Sequence, residues 1–142
     1  MADHAPPAPS GFVEVPHTAD AALRVWGANL AELFANAARG LAWLLTDPQS
    51  IRPARRATLE LRADDAETLL VTWLGELLYL YERDGAVFSE FEMEEVTPTC
   101  LRANARGGPA GEVRYHVKAV TFNQLAIRPT EKGWETTIVF DV

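Results

Sequence analysis

The hydrophobic period of the chain changes within residues 64–95, which read DDAETLLVTWLGELLYLYERDGAVFSEFEMEE. At first, apolar residues recur every three or four positions, and Asp64 with Glu67 marks the beginning of a helix with one broad apolar face. Asp84-Gly85 is typical of a helix end, because glycine tolerates the left-handed backbone found there. After it the period is two, which predicts a strand over 87–95. A helix that must pack on a sheet predicts an α+β domain.

The rest of the chain repeats these two patterns. Asn29 followed by Glu32 resembles a capping box, and the apolar stripe that it opens predicts an earlier helix, closed by Asp47-Pro48. Alternating segments predict further strands at 12–15, 22–26, 57–62, 100–106, 112–121, 125–128 and 134–141. The runs at 107–111 and 131–133 are rich in turn residues and predict hairpins. We expect one α+β domain, with two helices packed on a mostly antiparallel or mixed β-sheet and a β-meander in the C-terminal half.

Length and composition bound the class of protein. The chain has 142 residues, 48% hydrophobic and 23% charged, the ordinary mix of one globular domain. Residues 1–10 are rich in proline and alanine and are predicted to be a mobile N-terminal tail, which leaves 11–142 as the domain. No apolar run approaches the roughly 18 residues of a membrane-spanning helix, and no secretory signal is recognisable at the start. We therefore expect a cytoplasmic protein that makes no contact with a membrane.

The charge balance limits the partners. Thirteen Lys and Arg against twenty Asp and Glu give a net charge of -7, the opposite sign to that of a protein that grips nucleic acid through its phosphates. An acidic protein is instead suited to hold cations or to dock on a basic partner. The single cysteine, Cys100, excludes an internal disulfide and a Cys-rich zinc site.

His17 and Asp20 lie in the joint between the first two predicted strands. A turn there can aim an imidazole and a carboxylate at one point, where they would bind a divalent metal or act as acid and base. A plainer alternative is open: Asp20 caps the turn through backbone amides, and His17 is a partly buried ring with its hydrogen bonds satisfied.

The last predicted strand supplies a second carboxylate. Its parity turns Phe140 toward the core and Asp141 away from it, next to the main-chain carboxylate of Val142. Two anions this close repel unless solvent or a cation separates them. If the fold brings them to Asp20, they form a hard-oxygen site suited to calcium, magnesium or manganese. A frayed, solvated strand end is the alternative.

The remaining candidate residues give weaker evidence for a functional site. Lys118 and Thr121 lie on a predicted strand with opposite parity, so only a bend or an edge position lets both serve one site. Cys100 and His116 also lie in predicted strands, and no third group can be named that would orient them as nucleophile and base. The glycine-rich run at 107–111 lacks the Lys and Ser or Thr of a phosphate-binding loop.

Four blocks of the sequence resemble, in order, the signature of the archease family, and together they extend over residues 12–142. The blocks are HTAD at 17–20 with LRVWG at 23–27, ELF at 32–34 and AA at 37–38; LLVTWLGELL at 69–78 with DGAVF at 84–88; VKAVTF at 117–122; and the final Asp141-Val142.

This resemblance implies an accessory protein of the RtcB-type RNA ligase, which joins RNA ends in tRNA splicing and RNA repair. Archeases assist formation of the ligase's guanylylated histidine intermediate and allow multiple turnovers, and they are not themselves the ligase. They carry a divalent cation site, seen with calcium; manganese and magnesium have the same ligand preference. The family's metal positions fall on Asp20, Asp141 and Val142, with His17, Lys118 and Thr121 as candidate supporting residues.

Two positions depart from the family's pattern. The residue before His17 is often an acid in the family and is Pro16 here, which removes an extra oxygen but none of the three ligand positions. The family's Tyr-His after the Lys-Ala-Val-Thr block is Phe122-Asn123. The roles of that hydroxyl and that imidazole are therefore open.

Two other functions compete with the accessory protein. A small metal-dependent phosphohydrolase or nuclease would use the same carboxylates to activate water, and it predicts turnover without the ligase. A chaperone-like interaction module would use only the apolar helix faces, and it predicts an activity that a chelator does not change. The absence of a persuasive general base favours the accessory protein over the hydrolase.

Overall fold

The elements are taken from a computed structural model that describes residues 11–16 and 20–142. The predicted tail, 1–10, and the segment 17–19 lie outside the described residues. Within the described part, the elements are β1 (Phe12–Val15), β2 (Ala21–Gly27), α1 (Leu30–Leu45), a 3-10 turn (Pro48–Ser50), β3 (Arg55–Arg62), α2 (Ala66–Asp84), β4 (Ala86–Val96), β5 (Cys100–Pro109), β6 (Ala119–Val120), β7 (Arg128–Thr130) and β8 (Gly133–Asp141).

The described strands form two sheets, and every pair of neighbours is antiparallel. One sheet has the order β1-β2-β8-β6, with β7 also paired to β8, and the other has the order β3-β5-β4. The α+β class with two helices is therefore confirmed. The strands divide between two sheets because the β4–β5 hairpin pairs with β3, whereas β8 returns to β2 near the start of the domain.

Helix α1 is the central element of the core. It contacts both sheets, through β2 and β4, and 12 of its 16 residues are buried. Helix α2 buries one face, around Trp73 and Leu74. A helix that sheets cover on two sides must be apolar around most of its circumference, as α1 is.

Both predicted helix beginnings are present, with one correction. The Asn29 side chain accepts a hydrogen bond from the Glu32 amide at 2.8 Å, and Glu32 accepts one from the Ala28 amide at 3.0 Å. The α2 cap is Asp65 rather than Asp64, because the Asp65 carboxylate accepts the Thr68 amide hydrogen bond at 2.8 Å. The bonds from the Glu32 and Thr68 amides satisfy donors that an α-helix leaves without internal partners, and the bond from the Ala28 amide fixes the residue before the Asn29 cap.

One of the two predicted hairpins is wrong. Thr130 pairs with Gly133, so the turn at 131–133 is confirmed. The run at 107–111 is not a turn, since Gly107 and Gly108 lie inside β5. A Cβ on Gly107 would lie 2.2 Å from the Val87 carbonyl oxygen, and one on Gly108 would lie 2.2 Å from the Arg52 carbonyl oxygen. The glycines are there because other backbone passes too close for a side chain.

The strands predicted at 112–121 and 125–128 are largely wrong. Only 119–120 of the first is a strand, and the next strand is 128–130. The Arg114 and Tyr115 amides donate instead to the Leu45 and Leu44 carbonyls at 2.9 and 3.1 Å. These are the carbonyls that the end of α1 leaves without helical partners, so the segment caps a helix rather than joining a sheet.

No helix in the described residues combines the length and apolar character needed to cross a membrane.

Candidate metal centre

The pairing of β2 with β8 brings Asp20 and Asp141 together. The two strands are antiparallel, and their last paired residues at this end are Ala21 and Phe140. Extending the register by one residue places Asp20 opposite Asp141. Residues opposed in this way have Cβ atoms about 5 Å apart. The first and last parts of the domain thus contribute one carboxylate each to the same end of the sheet.

Asp141 is also held from its other side. Strand β6 pairs Ala119 with Asp141, and the Lys118 amide donates to the Asp141 main-chain carbonyl at 2.7 Å. The backbone of Asp141 is therefore held by β6, one residue beyond the last pair that β8 forms with β2. Its side chain is exposed, whereas Asp20 is half-buried.

The predicted parity of β8 is observed, with one difference. Ile138 and Phe140 are fully buried in the core, and Asp141 lies on the opposite face. Val139 shares that face with Asp141, yet it is 1% exposed and lies opposite the equally buried Ala22. The two aspartates thus stand at the rim of a covered apolar surface, where charges interact more strongly than in open water.

The candidate supporting residues have different surroundings. His17 lies outside the described residues. Lys118 and Thr121 flank the two-residue strand β6, and the Lys118 side chain is exposed. The Thr121 hydroxyl donates to the Val139 carbonyl at 3.0 Å, so it positions the chain beside β8.

The oxygen chemistry of this corner suits a hard divalent cation. Two carboxylates that face each other repel, and a cation between them removes that repulsion. Among the described residues no three His, Cys, Asp or Glu side chains converge on one point. A cation held here by Asp20 and Asp141 would need a further oxygen, and the main-chain oxygens of Val142 are the next along β8. These are hard donors, which favour calcium, magnesium or manganese over softer metals.

A large cavity lies at the opposite end of β2. It has a volume of about 1030 Å³ and is bounded by α1, the β1–β2 edge and β4, with Trp26, Trp43, Phe91 and Met93 among its lining residues. Asp20 and Trp26 are at the two ends of one strand, so this cavity is not part of the carboxylate site.

One buried charge was missed by sequence reasoning. The Arg114 guanidinium lies over the Trp43 ring at 4.3 Å, and its buried nitrogens form no hydrogen bond. Burial lowers the pKa of Arg114. Next to it the Tyr115 hydroxyl donates to Glu14 at 2.7 Å, and this bond, with burial second, raises the pKa of Tyr115. The alternation of 112–121 looked like an ordinary strand and gave no signal of either contact.

Fold and site together define a class: small acidic α+β proteins whose first and last long strands pair and oppose two aspartates at one sheet end. The model of the Archease protein family (MTH1598/TM1083) matches residues 12–142. The chain belongs to the archease family.

Named relatives agree with this assignment. The protein archease of Methanosarcina mazei is 34% identical over 134 residues, covering 89% of this chain and 92% of its own length. That of Archaeoglobus fulgidus is 36% identical over 132 residues, with coverage of 90% and 96%. That of Saccharolobus islandicus is 39% identical over 131 residues, with coverage of 89% and 94%.

Two solved structures share the fold. The solution structure of Methanobacterium thermoautotrophicum protein 1598 matches with a TM-score of 0.78 at 28% identity, over 94% of this chain and 99% of that one. The crystal structure of a Thermotoga maritima archease, described as a possible chaperone, matches with a TM-score of 0.65 at 18% identity, over 90% and 94%.

Proposed function

We propose that this protein is a divalent-metal-binding activator of an RtcB-type RNA ligase in tRNA splicing and RNA repair. It promotes guanylylation of the ligase and multiple turnover, and it is not itself an enzyme. Membership of the archease family supports the accessory role. The pairing of Ala21 with Phe140 is the observation that supports a cation site, because Asp20 and Asp141 are the next residues on the two chains.

The proposed ligands are Asp20, Asp141 and the main-chain oxygens of Val142. Calcium is expected from the family resemblance, with manganese or magnesium as alternatives. When bound, the cation would supply positive charge to phosphate oxygens at the ligase's active site. Lys118, beside Asp141, adds a second positive charge at the same sheet end.

The charge of the whole chain supports a protein partner. A net charge of -7 disfavours direct contact with RNA and favours a basic protein surface. The RNA is then met only indirectly, through the ligase, in the cytoplasm.

The test measures guanylylation of the cognate ligase with wild-type protein and with the Asp20→Ala, Asp141→Ala and Asp141→Asn variants. We expect each variant to lose most of the activation while remaining folded. Asp64→Asn is the matched control, because Asp64 is an exposed aspartate between α2 and β3, and β3 belongs to the other sheet. If the Asp20 and Asp141 variants activate as well as wild type, the cation-site mechanism is wrong.

A second experiment addresses Val142. Three or four residues added after Val142 displace any free carboxylate there while leaving the pairing of Asp141 with β6 in place. Impaired activation is expected, and an unimpaired extended protein would count against the role of Val142.

The same assay separates the competing functions. Activation that survives a chelator would favour a chaperone-like module. This alternative is retained because the Thermotoga maritima archease is described as a possible chaperone. Release of phosphate or nucleotides by the protein alone would favour the hydrolase.

A further inference from the structure

Phe122 is the most exposed of the large hydrophobic side chains in the described residues. Its relative exposure is 56%, whereas Ile138 and Phe140 on the neighbouring strand β8 are buried and Val120 on β6 is partly buried. It follows β6 by one residue and stands on the loop that connects β6 to β7. A single exposed apolar side chain is common on protein surfaces. What distinguishes Phe122 is how firmly its backbone is held and where it lies.

The entrance to this loop is bonded to β8. The Thr121 amide and the Thr121 hydroxyl both donate to the Val139 carbonyl, each at 3.0 Å. The Asn123 amide in turn donates to the Thr121 hydroxyl oxygen at 3.2 Å. The residues on both sides of Phe122 are thus attached to one point of β8.

The exit of the loop is bonded as well. The Leu125 amide donates to the Phe122 carbonyl at 3.0 Å, which closes a tight turn. The Ile127 amide donates to the Glu67 carboxylate on α2 at 3.0 Å. Leu125 and Ile127 pack against the core. The loop therefore buries its other apolar side chains and leaves Phe122 outside.

The turn holds a backbone conformation that its sequence does not favour. Gln124, at the third position, has φ +63 and is the one non-glycine residue with positive φ among the described residues. Glycine or asparagine is preferred there. An unfavourable conformation persists only when its surroundings fix it, and such positions are often functional.

Phe122 is close to the carboxylate corner. Ala119 pairs with Asp141, and Phe122 is the third residue after Ala119 along the chain, a distance of at most about 10 Å in extended backbone. Exposed, uncharged Asn123 and Gln124 follow it. An aromatic side chain with a polar, uncharged rim is the usual composition of an energetic centre in a protein interface.

We propose that Phe122 is the apolar anchor that seats this protein on its ligase and so positions the Asp20–Asp141 corner against the ligase's active site. The inference rests on the proposed function. The surface that receives it is an apolar pocket of the ligase beside a basic region, since an acidic corner lies about 10 Å away. Phe122 is a positioning residue that sets the affinity for the ligase. The two carboxylates set the maximal activation that the complex reaches.

The test measures two quantities separately: the affinity for the ligase and the maximal activation of guanylylation. The wild-type protein and the Phe122→Ala, Phe122→Tyr and Asp141→Asn variants are each titrated against a fixed ligase concentration, with guanylylation followed. For Phe122→Ala we expect the half-saturating concentration to rise about tenfold or more, the effect of losing an interface centre, with the plateau unchanged. Phe122→Tyr keeps the ring and should stay within about twofold of wild type. Asp141→Asn should lower the plateau instead.

Four control measurements make a negative result interpretable. Tyr79→Ala removes a similarly exposed aromatic side chain, 52% exposed on α2, and should leave the titration unchanged. Thermal unfolding and calcium titration calorimetry should be the same for Phe122→Ala and wild type. Calorimetric titration of the ligase itself measures binding even if no activation occurs, so a failed proposed function is recognised separately. An unchanged affinity for Phe122→Ala, or an equal loss in Phe122→Tyr, overturns the proposal.

Discussion

The indole N–H of Trp73 donates a hydrogen bond to the main-chain carbonyl of Phe34 at 3.0 Å, and both side chains are completely buried. This bond joins α2 to α1 in the middle of the core. A buried indole N–H is costly without an acceptor, and here a helix carbonyl supplies one. The edge of the Phe91 ring on β4 meets Trp73 at a centroid distance of 5.8 Å, so one side chain links both helices and the three-stranded sheet.

Trp73→Phe should therefore lower the free energy of unfolding by about 2 kcal/mol, from a lost hydrogen bond and a small cavity. Urea unfolding followed by circular dichroism measures it. Trp26→Phe is the matched control, because Trp26 is 40% exposed and its substitution should change stability by less than about 0.5 kcal/mol. Equal losses in both variants would contradict the central role of Trp73.

Asp84, the last residue of α2, should remain mostly ionised at pH values where an ordinary aspartate is already protonated. Its hydrogen bond from Arg83, and then that from Arg55, lower the pKa of Asp84 to about 2. Because the folded pKa lies below the ordinary value of 3.8, the associated stability is present above about pH 4 and is lost as the pH falls toward 2. Carboxyl carbon NMR titration measures this pKa. Arg83→Gln should raise it more than Arg55→Gln, and an unchanged pKa in both variants would refute the assignment.

Two glycine-to-alanine substitutions should change the free energy of unfolding in opposite directions. Gly107→Ala places a Cβ against the Val87 carbonyl and should destabilise the protein by at least about 1–3 kcal/mol. Gly75→Ala, inside α2 with nothing within 4 Å of the added Cβ, should stabilise it by about 0.5–1 kcal/mol through helix propensity. Thermal unfolding of both variants checks the pair. A stabilising Gly107→Ala would mean that the strands separate more easily than the close approach implies.

The helices could be predicted from the sequence because their causes are local. The Asn29 cap, the apolar stripes and the Gly85 ending, at φ +72, depend on residues a few positions apart. The parity of β8 is equally local, so the outward position of Asp141 followed from it.

The errors have long-range causes. Gly107 and Gly108 have the composition of a turn. Only the approach of β4 to Gly107, and of the chain before β3 to Gly108, explains their place in a strand. Arg114 and Tyr115 lie in a segment whose polar and apolar residues alternate as in a strand. Their amides nevertheless donate hydrogen bonds to carbonyls at the end of α1, about 70 residues earlier in the chain. Local propensity cannot report a partner so distant in sequence.

The candidate site also has one part that the local sequence predicts and another that depends on distant partners. The alternation of residues along β8 is enough to predict that Asp141 points away from the core. The β2–β8 pairing that brings Asp141 near Asp20 joins two segments separated by almost the whole chain, so no local pattern predicts it. Only the family resemblance joined the two residues before the structure did. Phe122 was noted merely as a departure from the family's tyrosine, because the sequence does not reveal which of the loop's apolar residues is left exposed.

Cation binding should reverse the stability order of wild type and Asp141→Asn. In excess chelator the variant should be at least as stable, because one of two directly opposed charges is gone. With calcium at about 100 times its dissociation constant, wild type should gain about 2.7 kcal/mol, while the variant gains little. Urea unfolding in both conditions measures the crossing. Asp64→Asn should follow wild type throughout, and an equal gain in wild type and Asp141→Asn would show that calcium binds elsewhere.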